Sequence, residues 1–157
     1  MSNKSNHYKM SLEKKIQKDL ITAMKAKDQV ALRGIRAIKS AILLVKTDGS
    51  GEALNEEKEI KMLQKLVKQR KDSLDIYQKQ NRPDLAKIEE EEIGIIEKYL
   101  PKQLDTSELE DILKGIIEQT GASSMKDMGK VMGIASKQLA GQADGKTIST
   151  VVKQLLG

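Results

Sequence analysis

The sequence predicts an all-α protein: a helical N-terminal domain of about four helices, a proline hinge near Pro101 and a small three-helix C-terminal domain. Three observations carry this. Apolar residues recur at the 3.6-residue period of a helix almost throughout, with few β-branched alternations. The chain has no Phe, no Trp and only Tyr8, Tyr77 and Tyr99, so its core is built from Ile, Leu, Val, Met and Ala, which suits helix-on-helix packing. Pro101 removes a backbone donor, disfavours helix at Leu100 and separates two differently composed parts. The expected division is 1–9 as a disordered extension before a second plausible start at Met10, 10–100 as the helical N-terminal domain and 105–157 as the three-helix tail.

In the first helix Leu12, Ile16, Leu20, Ala23 and Met24 make one stripe, ending near "KAKD". A second runs from about Asp28 with Leu32, Ile35, Ile38, Ile42 and Val45, until "TDGSGEAL" breaks it with two glycines and Asp48. Asn55 is a good N-cap, followed by Glu56 and Glu57 at the positive end of a helix dipole. That third helix carries Ile60, Leu63, Val67, Leu74 and Tyr77. Pro83 sits where the first turn of a fourth helix tolerates it, and Leu85, Ile88, Ile96 and Tyr99 lead to "YLPKQL". Beyond Pro101, Asp105 and Glu108 have capping-box spacing; Leu109, Ile112, Leu113 and Ile116 follow, and Gly121 is a natural C′ residue. Ser124 opens the next helix (Met125, Met128, Met132, Ala135, Leu139). After "GQADGK", Ile148, Val151, Val152 and Leu155 form a short last one.

Composition excludes several chemistries. Cysteine is absent, which rules out disulfides, thiol catalysis and zinc–thiolate sites and fits a reducing cytoplasm, the expected location. No apolar run approaches the roughly 20 residues needed to span a bilayer, and "MSNKSNHYKMSLEKK" lacks the apolar region of a secretion signal. The single histidine, His7, falls in the extension, so no histidine base or ligand set is available. No catalytic residue, metal site or small-molecule cofactor is assigned. A net charge of +5 permits attraction to RNA or to an acidic protein without demanding either. With so few aromatics, stacking of bases on aromatic platforms is nearly excluded.

"GQADGKT" looks like a phosphate loop but fails on spacing. Three residues separate Gly141 from Gly145 where four are needed, a helix precedes it instead of a strand, and Asp144 would face the phosphates. "IEEEEIG" scatters Glu89 to Glu92 around a helix at about 100° steps and reads as a solvated face. Arg33, Arg36 and Lys39 lie roughly along one side of the second helix: a phosphate-tracking ridge, or partners for acids such as that glutamate run.

The stretch from Lys126 to Leu156 poses the main question. From Ser124 onward five lysines (126, 130, 137, 146, 153) face only Asp127 and Asp144. Gly129 and Gly133 form a small-xxx-small strip beside Lys126, Lys130 and Lys137. A mid-helix glycine costs about 0.5–1 kcal/mol relative to alanine. Close contact with another helix would offset that cost. So would a sugar–phosphate backbone against bare main chain, with lysines neutralising phosphates. Residue physics leaves both readings open.

"VKQRKDSLDIY", "YLPKQL", "TGASSMKDMGKVMG" and "LAGQADGKTISTVVKQLL" together resemble the YqeY family over about residues 10–157. Its members share a helical tail with the B subunit of the aspartyl/glutamyl-tRNA amidotransferase, a carbon–nitrogen ligase with glutamine as amido donor. There the tail contacts the body of the tRNA while catalysis lies in other domains and subunits. The resemblance implies a non-catalytic module whose partners are tRNA or amidotransferase subunits. It assigns Lys126, Lys130 and Lys146 to phosphate contact, Gly129 and Gly133 to close approach, and Gly141 and Gly145 to shaping the loop, with Asp144 capping the last helix. Gln142 departs from the basic residue frequent at that place in the family. The alternative is a protein–protein interaction module that binds no nucleic acid.

Overall fold

The computed structural model describes residues 10–48 and 54–157. The expected extension 1–9 with His7, and Gly49 and Gly51 of the break after the second helix, lie outside the described residues. Among the described residues seven α-helices run in order: α1 (Leu12–Ala26), α2 (Gln29–Lys46), α3 (Glu56–Lys79), α4 (Pro83–Glu97), α5 (Thr106–Thr120), α6 (Met128–Gln138) and α7 (Gly145–Leu156). A short 3-10 turn, Met125–Asp127, leads into α6. The fold is all-α; no strand occurs among the described residues, and no helix there is long and apolar enough to cross a membrane.

Helix starts follow local chemistry. The side chains of Ser11, Asp28, Asn55 and Asp144 each accept a hydrogen bond from the backbone N–H three residues on, at 2.7–3.3 Å. Each cap stabilises its helix by about 1 kcal/mol relative to alanine. Asp105 and Glu108 form a full capping box. Pro83 is the first residue of α4. Gly121, at φ 69°, ends α5 in the left-handed region, where a residue without Cβ meets no steric cost.

The chain divides into two compact units, one ending at Tyr99 and one beginning at Leu100. In the first, α3 packs along α4, and α2 packs against α1, α4 and α3. Ile16, Ile38, Leu63 and Ile96 are its most deeply buried side chains. Gly34 of α2 lets Ile95 of α4 approach: a Cβ there would lie 2.5 Å from Ile95 Cβ. The Tyr99 hydroxyl donates to Asp19 at 2.5 Å, and Lys15 Nζ lies 5.5 Å from the ring centroid, which ties the end of this unit to α1. Burial and the Asp19 bond push the Tyr99 hydroxyl well above its ordinary pKa.

In the second unit α5, α6 and α7 enclose Leu109, Leu113, Ile116, Val131, Ala135, Leu139, Ile148, Val151 and Val152. Core membership departs from the predicted stripes at their edges. Met24, Ile88 and Met125 are exposed, while Ala86, Ile93 and Val131 are buried. Met125 lies in the 3-10 turn, whose three-residue repeat puts it out of phase with the α-helical stripe that follows. Once α6 begins at Met128, Val131 takes the inward position.

Candidate nucleic-acid interface

On α6 the buried residues Val131 and Ala135, with Leu139 just beyond, define the inward side. At 100° per residue, Lys130, Gly133 and Lys137 fall on the opposite side, and all three are exposed. α7 repeats the arrangement. Ile148, Val151 and Val152 are buried, and Lys146, Thr150 and Lys153 share the outer side, also exposed. In each helix seven residues separate the two lysines, about 10 Å along the axis at 1.5 Å per residue. Lys126, on the 3-10 turn, is exposed as well. None of these five lysines is in an ion pair among the described residues.

The glycines separate into two kinds. Gly129 and Gly133 are exposed in α6, and a Cβ added to either would meet nothing within 4 Å. Neighbouring helices of this unit therefore give no reason for glycine there. Gly145, the first residue of α7, is equally open and belongs to the helix instead of the loop. Gly141 differs: it is buried, at φ 80°, and its carbonyl accepts a hydrogen bond of 2.7 Å from Gln103 Nε2. The Gln142 carbonyl accepts from the Leu104 N–H at 3.0 Å. The loop between α6 and α7 is thus laced to the segment just after Pro101, and Gly141 acts as architecture. Asp144 caps α7 by accepting from the Thr147 N–H.

Charge is unevenly placed within this unit. It holds seven lysines against seven acids, yet Asp105, Glu108, Glu110, Asp111 and Glu118 lie on or at the start of α5, and all five residues from 124 on that are cationic lie on the turn, α6 and α7. Glu108 is bonded to Lys102 Nζ at 3.0 Å, and that bond with the Asp105 backbone N–H holds its carboxyl below the ordinary range.

The basic ridge of α2 does not stay whole. Arg33 Nη2 donates to Glu91 at 2.9 Å, and its Nη1 lies 3.5 Å from Glu92. Arg70 Nε donates to the same Glu92 at 3.1 Å. Arg36 and Lys39 remain exposed on α2. The glutamate run is correspondingly more than a solvated face: Glu91 and Glu92 meet the arginines because α4 packs against both α2 and α3, which the run itself does not reveal. Glu89, whose carboxyl is pushed up by burial and by the charge of Glu92, is half-buried.

One basic face went unread in the sequence. Lys14, Lys18 and Lys25 share the outer side of α1, opposite Leu12, Ile16 and Ala23, and none is in an ion pair among the described residues. Their helical spacing was the available signal. Like the α6 face, which carries Ile134 beside its lysines at 38% exposure, this one interposes an isoleucine, Ile21, at 55%. A hollow of about 330 Å³ by the α3–α4 turn, lined by Arg82, Lys87 and Glu90 among others, offers little. The Arg82 guanidinium is already held by two hydrogen bonds to Asp84, which draw that carboxyl down to about 2.

A family model described as "Yqey-like protein" matches residues 13–156. The chain belongs to the YqeY family. It is 37% identical over 120 residues to altered inheritance of mitochondria protein 41, mitochondrial, of Vanderwaltozyma polyspora, covering 72% of this chain and 64% of that protein. The protein of the same name from Lachancea thermotolerans is 41% identical over 95 residues, 60% of this chain and 51% of the relative. That of Saccharomyces cerevisiae strain YJM789 is 34% identical over 132 residues, 84% and 70%. The chain thus spans about half to two thirds of the length of the first relatives it matches. Their names overturn the expected cytoplasmic location and point to a mitochondrial one. A lack of cysteine excludes disulfides but does not distinguish one reducing compartment from another.

Proposed function

We propose that this YqeY-family chain is a non-catalytic tRNA-binding module, related in role to the tail of the amidotransferase B subunit, and that its second unit lays the outer faces of α6 and α7 on the sugar–phosphate backbone. One observation carries the reading: Gly133 stands open between two unpaired lysines, Lys130 and Lys137, on a face that nothing in its own unit covers. An uncovered mid-helix glycine weakens the helix by about 0.5–1 kcal/mol without any compensating contact inside the unit. A rigid outside partner that needs close approach supplies the compensation, and flanking cations select a polyanion. Carbon–nitrogen ligation remains the business of the family's glutamine-dependent enzymes; this chain contributes recognition.

The test is a salt titration of binding to bulk tRNA, for the native chain and for the Lys126→Ala/Lys130→Ala/Lys146→Ala variant. Loss of about three phosphate contacts flattens the slope of log K against log salt by about 2–3. A protein-docking role is the second reading, favoured by Met125 and Ile134, 45% and 38% exposed in the same unit. An unchanged slope, or no binding at low salt, selects it. Co-purification of tRNA or amidotransferase subunits with the tagged chain is the corresponding readout from cells.

A further inference from the structure

The kind of RNA structure that fits this face follows from what the second unit lacks and from how rigidly it holds what it has. Between Leu100 and Gly157 there is no Phe, Tyr, Trp, His or Arg. Recognition of unpaired RNA relies on splayed bases that stack on aromatic rings or guanidinium planes, worth about 1–3 kcal/mol per base. No side chain of this unit offers such a plane. Arginine, which reads guanine edges with two parallel hydrogen bonds, is missing too, and lysine acts as a point charge toward phosphate.

The backbone positions that carry the cations are also fixed, although each ammonium swings on a flexible stem. Lys130 and Lys137 ride on a helix anchored through Val131, Ala135 and Leu139; Lys146 and Lys153 ride on one anchored through Ile148, Val151 and Val152. Each pair is about 10 Å apart along its axis. An unpaired strand would have to order its backbone against this array, with no stacking to offset the entropy lost. In a base-paired stem the phosphates are already ordered, and the wide, shallow minor groove presents 2′-hydroxyls and phosphates to whatever lies across it. Five of the unit's seven acids lie on or at the start of α5, a different helix from the four lysines of α6 and α7.

We infer that the ligand of the α6–α7 face is the backbone of a base-paired RNA stem, read by shape and charge, and not an unpaired loop or end. This deepens the tRNA-binding proposal and rests on it.

The experiment compares the full chain at low salt with bulk tRNA, with an RNA hairpin whose stem is fully paired, and with an unpaired RNA of the same length. The hairpin should bind about tenfold or more tighter than the unpaired strand, and permuting its stem sequence should change affinity by less than about threefold. Lys130→Ala/Lys137→Ala/Lys146→Ala/Lys153→Ala should remove the preference for the hairpin. If tRNA binds the native chain but unpaired RNA binds as tightly as the hairpin, or if stem sequence dominates, this inference is overturned while the tRNA reading survives. If tRNA does not bind, both are overturned.

Discussion

Gly34 of α2 and Gly133 of α6 occupy similar places in the sequence, each mid-helix and each close to a basic residue, and the structure uses them in opposite ways. At Gly34 the absent side chain makes room for Ile95, 2.5 Å from where a Cβ would lie, and adjacent Arg33 is bonded to Glu91. At Gly133 the space beyond the backbone is empty, and Lys130 is in no ion pair among the described residues. The first glycine is explained by the fold. The second is not, and that residue of unexplained cost is what directs attention outward. Net charge points the other way: the whole excess of +5 falls in residues 1–99, since the second unit balances seven lysines with seven acids. Where the cations are free and what lies between them matters more than the total.

The largest expected contrast concerns charge. The Lys126/Lys130/Lys146 triple variant should flatten the tRNA salt slope by about 2–3, whereas Lys14→Ala/Lys18→Ala/Lys25→Ala, an equal loss of charge on the α1 face, should change it by less than about 1. Equal effects would mean diffuse attraction and erase the difference between the faces. Next in size is Gly34→Ala, which should destabilise the first unit by about 1–3 kcal/mol through overpacking against Ile95, measured by denaturant unfolding. Ile95→Ala in the same chain should recover little of that loss, because alanine keeps the Cβ that the new methyl meets at 2.5 Å.

Smaller and opposite in sign, Gly129→Ala and Gly133→Ala should each stabilise the second unit by about 0.5–1 kcal/mol, since both positions are helical and open. The same substitutions should weaken tRNA binding. A gain in stability with unchanged binding would show that the partner does not approach the bare backbone. The smallest effect is local and depends on pH. The Glu108 carboxyl is held below its ordinary value by Lys102 and the Asp105 N–H, so its contribution is complete above about pH 4.5 and is lost as pH falls through the depressed value. Relative to intrinsic exchange at each pH, protection of amides at the start of α5 should fall on acidification across that range, and less so in Glu108→Gln, which keeps the capping bond without the charge.

Much of the fold was legible because it rests on local chemistry. Asn55, Asp105 and Asp144, expected as caps, and Ser11 and Asp28, which the stripes did not single out as caps, hold helix starts through bonds reaching three residues, and Pro83 and Gly121 act through their own backbone preferences. The period-3.6 stripes marked most of the core, failing at Met24, Ile88 and Met125, where the edge of a stripe or a 3-10 turn shifts the phase. The candidate site was legible in part. Its lysines and glycines could be named from spacing, but whether Gly133 was covered, and whether Arg33 was spoken for, depends on residues far away in the chain.

The sequence by itself determined an all-helical chain of about four helices followed by three, several of their caps, an aliphatic core, membership of the YqeY family and a last stretch rich in glycine and lysine, since each depends on neighbours a few residues apart or on composition. Tertiary structure alone decided which glycine is filled by a partner helix and which is bare, which cations are neutralised, and which loop is laced to the segment after Pro101. Those outcomes depend on which helix faces which, and a pattern along one helix does not carry that information.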